Sequence, residues 1–217
     1  KIQQNFFEYL KKHLQIEGMS IVKSLFLGFQ MSTIINSYND YSSHNFEPLL
    51  YINLEIPNES KTIYDCLDNY CKNHTLQNYK DSDNDFPENT KYQKNVRFIS
   101  LPNYLIIVFK RFKHLQIGNR SFLVKNKNLI EFPFTLDMNP YTFGYINNDN
   151  YIYNLESVTY HTGELQGGHY YATSKFKNKW RVFNDQTTGQ IKVENENQII
   201  NPNAYILFYK KNNKIKY

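Results

Sequence analysis

Hydrophobic periodicity predicts an α+β fold, with helices first and a long antiparallel sheet after them. Apolar residues recur at helix spacing in the opening segment, where Phe6, Phe7, Leu10 and Leu14 oppose Lys11 and Lys12. From Val96 onward the pattern changes to strand-length apolar or alternating runs separated by polar breaks. The aromatic load, 19 Tyr and 16 Phe in 217 residues, suits a well-packed sheet. That length allows one large domain or two small ones.

In order along the chain, the first helix closes at Gly18, which can take the left-handed conformation of a helix end. A short apolar segment from Ile21 to Phe29 leads into Met31 to Ile35. The polar stretch Asn36 to Asn45 reads as a loop or hairpin tip. Leu50 to Ile56 alternates and stops at Pro57, the pattern of a half-buried strand. Ser60 or Thr62 can cap a helix carrying Ile63, Cys66, Leu67 and Tyr70 on one face. Asn73 to Thr90, with Asp81, Asp83, Asp85 and Pro87, reads as a loop or mobile insertion. Tyr104 to Phe109 is continuously apolar and predicts a central strand covered on both faces. Further strands are expected at Phe122–Val124, Leu129–Phe134, Tyr151–Tyr160, His169–Phe176, Lys179–Phe183 and Tyr205–Tyr209. There is no internal repeat.

Composition narrows the function classes. The net charge of +5 is mild and spread along the chain, so no nucleic-acid footprint is expected. The one basic cluster, Lys210 to Lys216, reads as a solvated tail. An RNA-binding module, suggested only by abundant Tyr and Lys, lacks a stacking motif. No apolar run is long enough to span a bilayer, so no membrane partner is expected. Two cysteines, Cys66 and Cys71, rule out a disulfide framework and favour a reducing, intracellular compartment, cytoplasm or nucleus. They are not spaced as a metal knuckle, and the other histidines (His13, His44, His74, His114 and His161) are scattered, so no metal and no cofactor are expected. Cys66 falls on an apolar helix face and reads as core. Lys72 beside Cys71 would lower that thiol's pKa slightly. The chain starts Lys1-Ile2-Gln3-Gln4, without an initiating Met or a targeting pattern, and reads as a piece of a longer polypeptide.

The chemistry concentrates in Gly167-Gly168-His169-Tyr170-Tyr171 and Trp180-Arg181-Val182-Phe183-Asn184-Asp185. If the two runs pair antiparallel, the His169 imidazole comes within reach of Asn184 and Asp185. A base held by an amide or carboxylate is half of a nucleophilic triad. Gly163, Gly167 and Gly168 would let a substrate backbone pass close by. The bland alternatives stay open: His169 as a surface residue at a hairpin mouth, and Asn184-Asp185, followed by Thr187-Thr188-Gly189, as an ordinary turn. Neither cysteine is paired with His169 by sequence.

These residues, taken in order, resemble the catalytic domain of the ubiquitin-specific proteases, which are papain-like cysteine peptidases. Gln3-Gln4-Asn5 is similar to the family's Gln-Gln-Asp box, with Asn in place of Asp. Ser24 to Gly28 and Met31 to Ile34 resemble the start of the fingers, and Phe46 to Leu54 the strand after the first zinc knuckle. Leu101 to Phe112 resembles the Leu-Pro to Leu-Lys-Arg-Phe block, and Phe132 to Asp137 the strand after the first blocking loop. Tyr153-Asn154-Leu155, Gly167 to Tyr170, Trp180, Phe183-Asn184-Asp185 and Ala204 to Tyr209 follow in family order and resemble its histidine box.

The resemblance implies a papain-like α+β architecture of fingers and palm, with most of the thumb missing. It implies a remnant of thumb helices at 1–30, a fingers-like region and insertion at 31–100, a palm with the histidine box at 101–209, and a basic tail at 210–217. It implies His169 as general base, Asn184 as third triad member and Asp185 as a supporting polar residue. Gly167, Gly168 and Tyr170 would contact substrate, and Phe112–Lys127 and His161–Gly168 would be loops flanking the ubiquitin tail. The implied reaction is hydrolysis after the C-terminal glycine of ubiquitin, with ubiquitin or ubiquitinated proteins as partners. Two departures stand out. The family's nucleophilic Cys and oxyanion-hole Asn precede the Gln-Gln-Asp box and are absent here. The zinc knuckles are also absent, with Asn36-Ser37-Tyr38-Asn39 where the first would be, so the fingers should be metal-free. An inactive ubiquitin-binding pseudo-peptidase is the alternative.

Overall fold

The computed structural model describes residues 1–38, 41–77, 79–80, 86–144, 150–164, 166–177, 179–185, 187–192 and 198–212. Helix α1 spans Ile2–Glu17 and ends at Gly18, whose φ of 66° favours glycine, although its ψ of 175° is extended rather than that of the left-handed helical cap. Its face is narrower than the periodicity suggests: Phe6 is buried, whereas Phe7 is exposed. Helix α2 is short, Ile21–Phe26, with the Ser20 hydroxyl accepting from the Lys23 amide. Strands β1 (Gly28–Asn36) and β2 (Ser42–Leu49) form a hairpin, so the polar tip is shorter than Asn36 to Asn45. Thr33 and His44, paired across the strands, explain why polar β2 still forms: their side chains hydrogen-bond at 3.0 Å.

Strand β3 is Ile52–Glu55. Helix α3 is Ile63–Cys71, capped at Thr62 rather than Ser60. Thr62 Oγ1 accepts from the Asp65 amide while the Asp65 carboxylate accepts from the Lys61 and Thr62 amides, a complete capping box. Ile63, Cys66, Leu67 and Cys71 are its buried residues. The stretch expected to be a loop, Asn73 to Thr90, contains strand β4 (His74–Leu76), paired with β5 (Tyr92–Ser100); Asp81, Asp83 and Asp85 lie outside the described residues. Strands β6 (Tyr104–Lys110), β7 (Phe112–Ile117), β8 (Arg120–Lys125), β9 (Thr135–Asp137), β10 (Ile152–Glu164), β11 (Gly167–Phe176), β12 (Lys179–Asn184), β13 (Thr187–Lys192) and β14 (Ala204–Lys211) complete the chain. Residues 213–217 of the expected tail are outside the described set.

Among the described residues the strands form three sheets. One is β2-β1-β5-β4; the large one runs β13-β12-β11-β10-β14-β6-β3, with β9 joining β10 beside it; and β7-β8 stands as a separate ribbon. Among the described strands the ladders are antiparallel except that of β3 with β6. The core lies between α3 and the inner face of the large sheet, where Leu54, Ile107, Phe109, Tyr160, Leu207 and Tyr209 are fully enclosed. A smaller core joins α1 to the first sheet through Phe6, Phe29, Met31 and Ile99.

Three expectations are corrected. Strand β6 is second from the sheet's edge and buries alternate residues, because its outer face is covered in part, as by Phe26 of α2 against Tyr104. Leu129–Phe134 is not a strand. Ile130 and Phe132 enter the core, but the backbone of Glu131 bonds to Lys61 and Ile63 around one isolated bridge, and Pro133 supplies no donor. Phe112–Lys127 and His161–Gly168 are largely strands, the β7–β8 hairpin and the β10–β11 hairpin mouth, rather than open loops. No described helix is long and apolar enough to cross a membrane.

Candidate functional site

The site grows out of the ladder between β11 and β12. Their register is antiparallel, Ala172 opposite Phe183 and Phe176 opposite Lys179. Side chains of a strand alternate between faces, so His169, Tyr171 and Thr173 share one face. Asn184, the last residue of β12, reaches diagonally to the imidazole: His169 Nε2 and Asn184 Oδ1 are 2.5 Å apart. An amide oxygen only accepts, so Nε2 carries the hydrogen and Nδ1 is left as the basic atom. Asp185 Oδ2 lies 3.6 Å from that Nδ1. The His169 side chain is 46% exposed and that of Asp185 73%, so the pair faces solvent at the end of the sheet.

Asn184-Asp185 does form a turn, as its composition suggests, and the same two residues contact the His169 ring. Asp185 has a φ of 31°, which Asp tolerates better than most residues, and Thr187 Oγ1 donates to the Asn184 carbonyl at 2.7 Å. The tight β12–β13 turn is what holds the amide at the strand's end. On the other strand, Thr162 sits opposite His169 and its hydroxyl donates to the His169 carbonyl at 3.3 Å.

Of the residues expected to contact substrate, Tyr170 is exposed but points to the face opposite His169, its ring 4.6 Å from that of His161. A Cβ at Gly167 would meet only open space. Gly168 is different: a Cβ there would land on the His161 ring and 2.8 Å from the Thr162 carbonyl oxygen, so glycine is required by packing within the hairpin itself. A shallow depression beside the pair is lined by Tyr170, Phe183, Asn184 and Asp185 among others. A larger one between α1, α2 and β2 contains none of these residues.

Both cysteines are buried on α3 in the core. Burial pushes the Cys66 thiol up to about 11, against a partial opposing effect of a Ser60 hydrogen bond. The Cys71 thiol is raised too, by burial that outweighs the nearby Arg97; Lys72 does not lower it. Neither is set up as a thiolate. Among the described residues no three His, Cys, Asp or Glu gather as a metal site.

Sequence reasoning missed the cations that fasten the surrounding hairpins. Fully buried Arg111 donates from Nε to the Ala204 carbonyl and from Nη1 to those of Asn126 and Asn128. Lys113 Nζ donates to the Ile56 carbonyl. Lys125, only 6% exposed, donates to the carbonyls of His161 (2.6 Å) and Gly163 (3.0 Å), tying β8 to the mouth of the β10–β11 hairpin.

Set beside known proteins, residues 2–209 match the family described as ubiquitin carboxyl-terminal hydrolase. The chain is 32% identical over 219 residues to a probable ubiquitin carboxyl-terminal hydrolase of Acanthamoeba polyphaga mimivirus, covering 94% of this chain and 44% of that one. It is 30% identical over 202 residues to ubiquitin carboxyl-terminal hydrolase Usp2 of Drosophila melanogaster, covering 88% of this chain and 20% of that one. Solved structures also share its fold. The yeast SAGA DUB module with a mutant Sgf73 matches with a TM-score of 0.79 at 26% identity, over 94% of this chain and 45% of that one. The SAGA Ubp8/Sgf11/Sus1/Sgf73 DUB module bound to ubiquitin aldehyde matches with a TM-score of 0.76 at 25% identity, over 96% of this chain and 49% of that one. The chain therefore spans less than half the length of these relatives.

Proposed function

The chain belongs to the ubiquitin carboxyl-terminal hydrolase family, and from that premise we propose that it carries the base half of a thiol-dependent deubiquitinase site. The observation that carries the proposal is the His169–Asn184 pair, a histidine whose Nε2 is held by an amide oxygen and whose Nδ1 stays basic. Nδ1 takes the proton of a thiol. The thiolate adds to the carbonyl carbon of the C-terminal glycine of ubiquitin, and the imidazolium returns the proton to the departing amine. Water, deprotonated by the same nitrogen, adds to the thioester carbonyl; the C–S bond breaks, ubiquitin leaves with a free C-terminal carboxyl group, and the imidazolium returns the proton to the departing thiolate. Asn184 keeps the ring in one tautomer without adding a buried negative charge. Asp185 lies close enough to Nδ1 to steady the imidazolium through solvent-screened attraction.

The sulfur is not Cys66 or Cys71, because both are enclosed in the core and held as thiols. The proposal assigns it to a cysteine outside these 217 residues. The β7–β8 ribbon and the mouth of the β10–β11 hairpin, tied together by Lys125, are assigned to either side of the ubiquitin tail. The test is hydrolysis of a ubiquitin C-terminal fluorogenic amide by the full-length protein. His169→Ala should lower kcat by about 10²–10⁴-fold, the usual contribution of a general base. Unchanged turnover in that variant sinks the assignment. Ubiquitin binding without turnover in the unaltered protein identifies the pseudo-peptidase instead.

A further inference from the structure

His161 lies eight residues before His169, on the opposite face of the same hairpin, and the reading above gives it no part. Its side chain is nearly enclosed, 5% exposed, among the rings of Phe112 from β7, Tyr170 from β11 and Tyr205 from β14. Among the described residues its Nδ1 has no hydrogen-bond partner, so ring packing rather than polar pairing accounts for its place there. What the ring does touch is the backbone at Gly168: any Cβ there would fall on Nε2 and 2.9 Å from Cε1. Gly168 is the residue directly before His169. Across the ladder, Gly163 faces Gly168 and Thr162 faces His169. Gly163, at φ 90°, is equally close-packed, since a Cβ there would sit 2.5 Å from the Gly167 carbonyl oxygen.

This packing is clamped from outside. Lys125 Nζ holds the carbonyls of both His161 and Gly163, and Lys127 pairs with Glu164 at 2.6 Å on the same side. Phe112, at the start of the same ribbon, closes on the His161 ring edge-on. The β7–β8 ribbon therefore grips β10 at the two residues that back the strand segment carrying His169.

We propose that His161 is a positioning residue for His169: wedged against Gly168 and held by Phe112 and Lys125, its ring lets the β7–β8 ribbon set where the base stands. The role rests on the reading of His169 as base, but its geometry can be tested without turnover. A histidine ring fits because it fills the space above a glycine without a Cβ to displace it. A misplacement of about 1 Å in a reacting group can cost roughly 10²-fold in rate.

The experiment is a cycle of Gly168→Ala, His161→Ala and the double variant in the full-length protein. Two readouts are taken: kcat and KM on a ubiquitin C-terminal fluorogenic amide, and the ring ¹⁵N spectrum of His169, which reports the Nε2–H bond to Asn184. Gly168→Ala is expected to lower kcat by about 10²-fold with KM within about threefold. The double variant should regain at least about threefold over Gly168→Ala, a partial rescue because the Thr162 carbonyl still crowds the new methyl. His161→Ala alone should speed solvent exchange of the His169 Nε2–H. A double variant no better than Gly168→Ala, or a His169 spectrum identical in His161→Ala and the parent, overturns the proposal. Should Gly168→Ala not fold, the exchange measurement on His161→Ala decides. If the parent has no turnover while the spectra respond as expected, the peptidase reading fails and the positioning role stands.

Discussion

Asn184 and Asp185 are neighbours that both face His169, and the structure ranks them. Asn184 Oδ1 accepts from Nε2 at 2.5 Å, a bond that becomes charge-assisted when the ring is protonated. Such a bond contributes about 1.5–3 kcal/mol. Solvent reaches 46% of the His169 side chain and pulls the figure toward the lower end. At about 1.4 kcal/mol per tenfold, Asn184→Ala should lower kcat/KM by roughly 10- to 100-fold. Asp185 is 73% exposed and 3.6 Å from Nδ1, an ion pair that solvent screens to about 0–1 kcal/mol. Asp185→Ala should therefore cost at most about fivefold, and that deficit should shrink in high salt. The assay is steady-state cleavage of a ubiquitin C-terminal fluorogenic amide by the full-length protein at low and high ionic strength. If Asp185→Ala is the slower of the two enzymes, the amide is not the orienting group and the reasoning from these distances is wrong.

Three further outcomes follow from the packing of α3. Thr62→Ala removes the capping acceptor and should cost about 1 kcal/mol in urea unfolding. Asp65 accepts two backbone hydrogen bonds that hold its carboxyl below the usual range; a depressed carboxyl stabilises the fold above its unfolded pKa of about 3.9 and loses that contribution as pH falls through the folded value. Urea midpoints of Asp65→Asn and the parent should thus converge at acid pH and separate at neutral pH, and parallel curves would contradict the cap. Cys66 and Cys71 should resist iodoacetamide in native protein and label fully in denaturant, as read by peptide mapping. Rapid native labelling of Cys66 would show that the core opens more readily than its burial implies.

The sequence was readable where a local rule and a tertiary need coincide. The α1 stop at Gly18, the α3 cap and the His169–Asn184 approach are of that kind, each set by spacing within a few residues or across one hairpin. Strands β4, β7 and β13 were hidden because edge and ribbon strands need no apolar stripe; their stability comes from ladder bonds to a neighbour. Leu129–Phe134 misled because Ile130 and Phe132 alternate into the core from a segment without a ladder. Arg111, Lys125 and His161 left little trace. A cation satisfied by main-chain carbonyls, or a ring packed against a glycine, depends on atoms far away in sequence. The one visible hint was the run Phe109-Lys110-Arg111-Phe112, in which two adjacent cations sit between large aromatic residues.

Strand β14 lies between β10 and β6 although every other described element precedes it in sequence. Until it is synthesised, the two portions of the large sheet have no shared seam, and both flanking edges offer unpaired amides and carbonyls. A nascent chain is thus exposed to wrong edge-to-edge association until β14 emerges, and non-local pairing of this kind is slow. Chaperone demand and aggregation should therefore respond most to changes in β14, even where those changes leave His169 and its neighbours untouched.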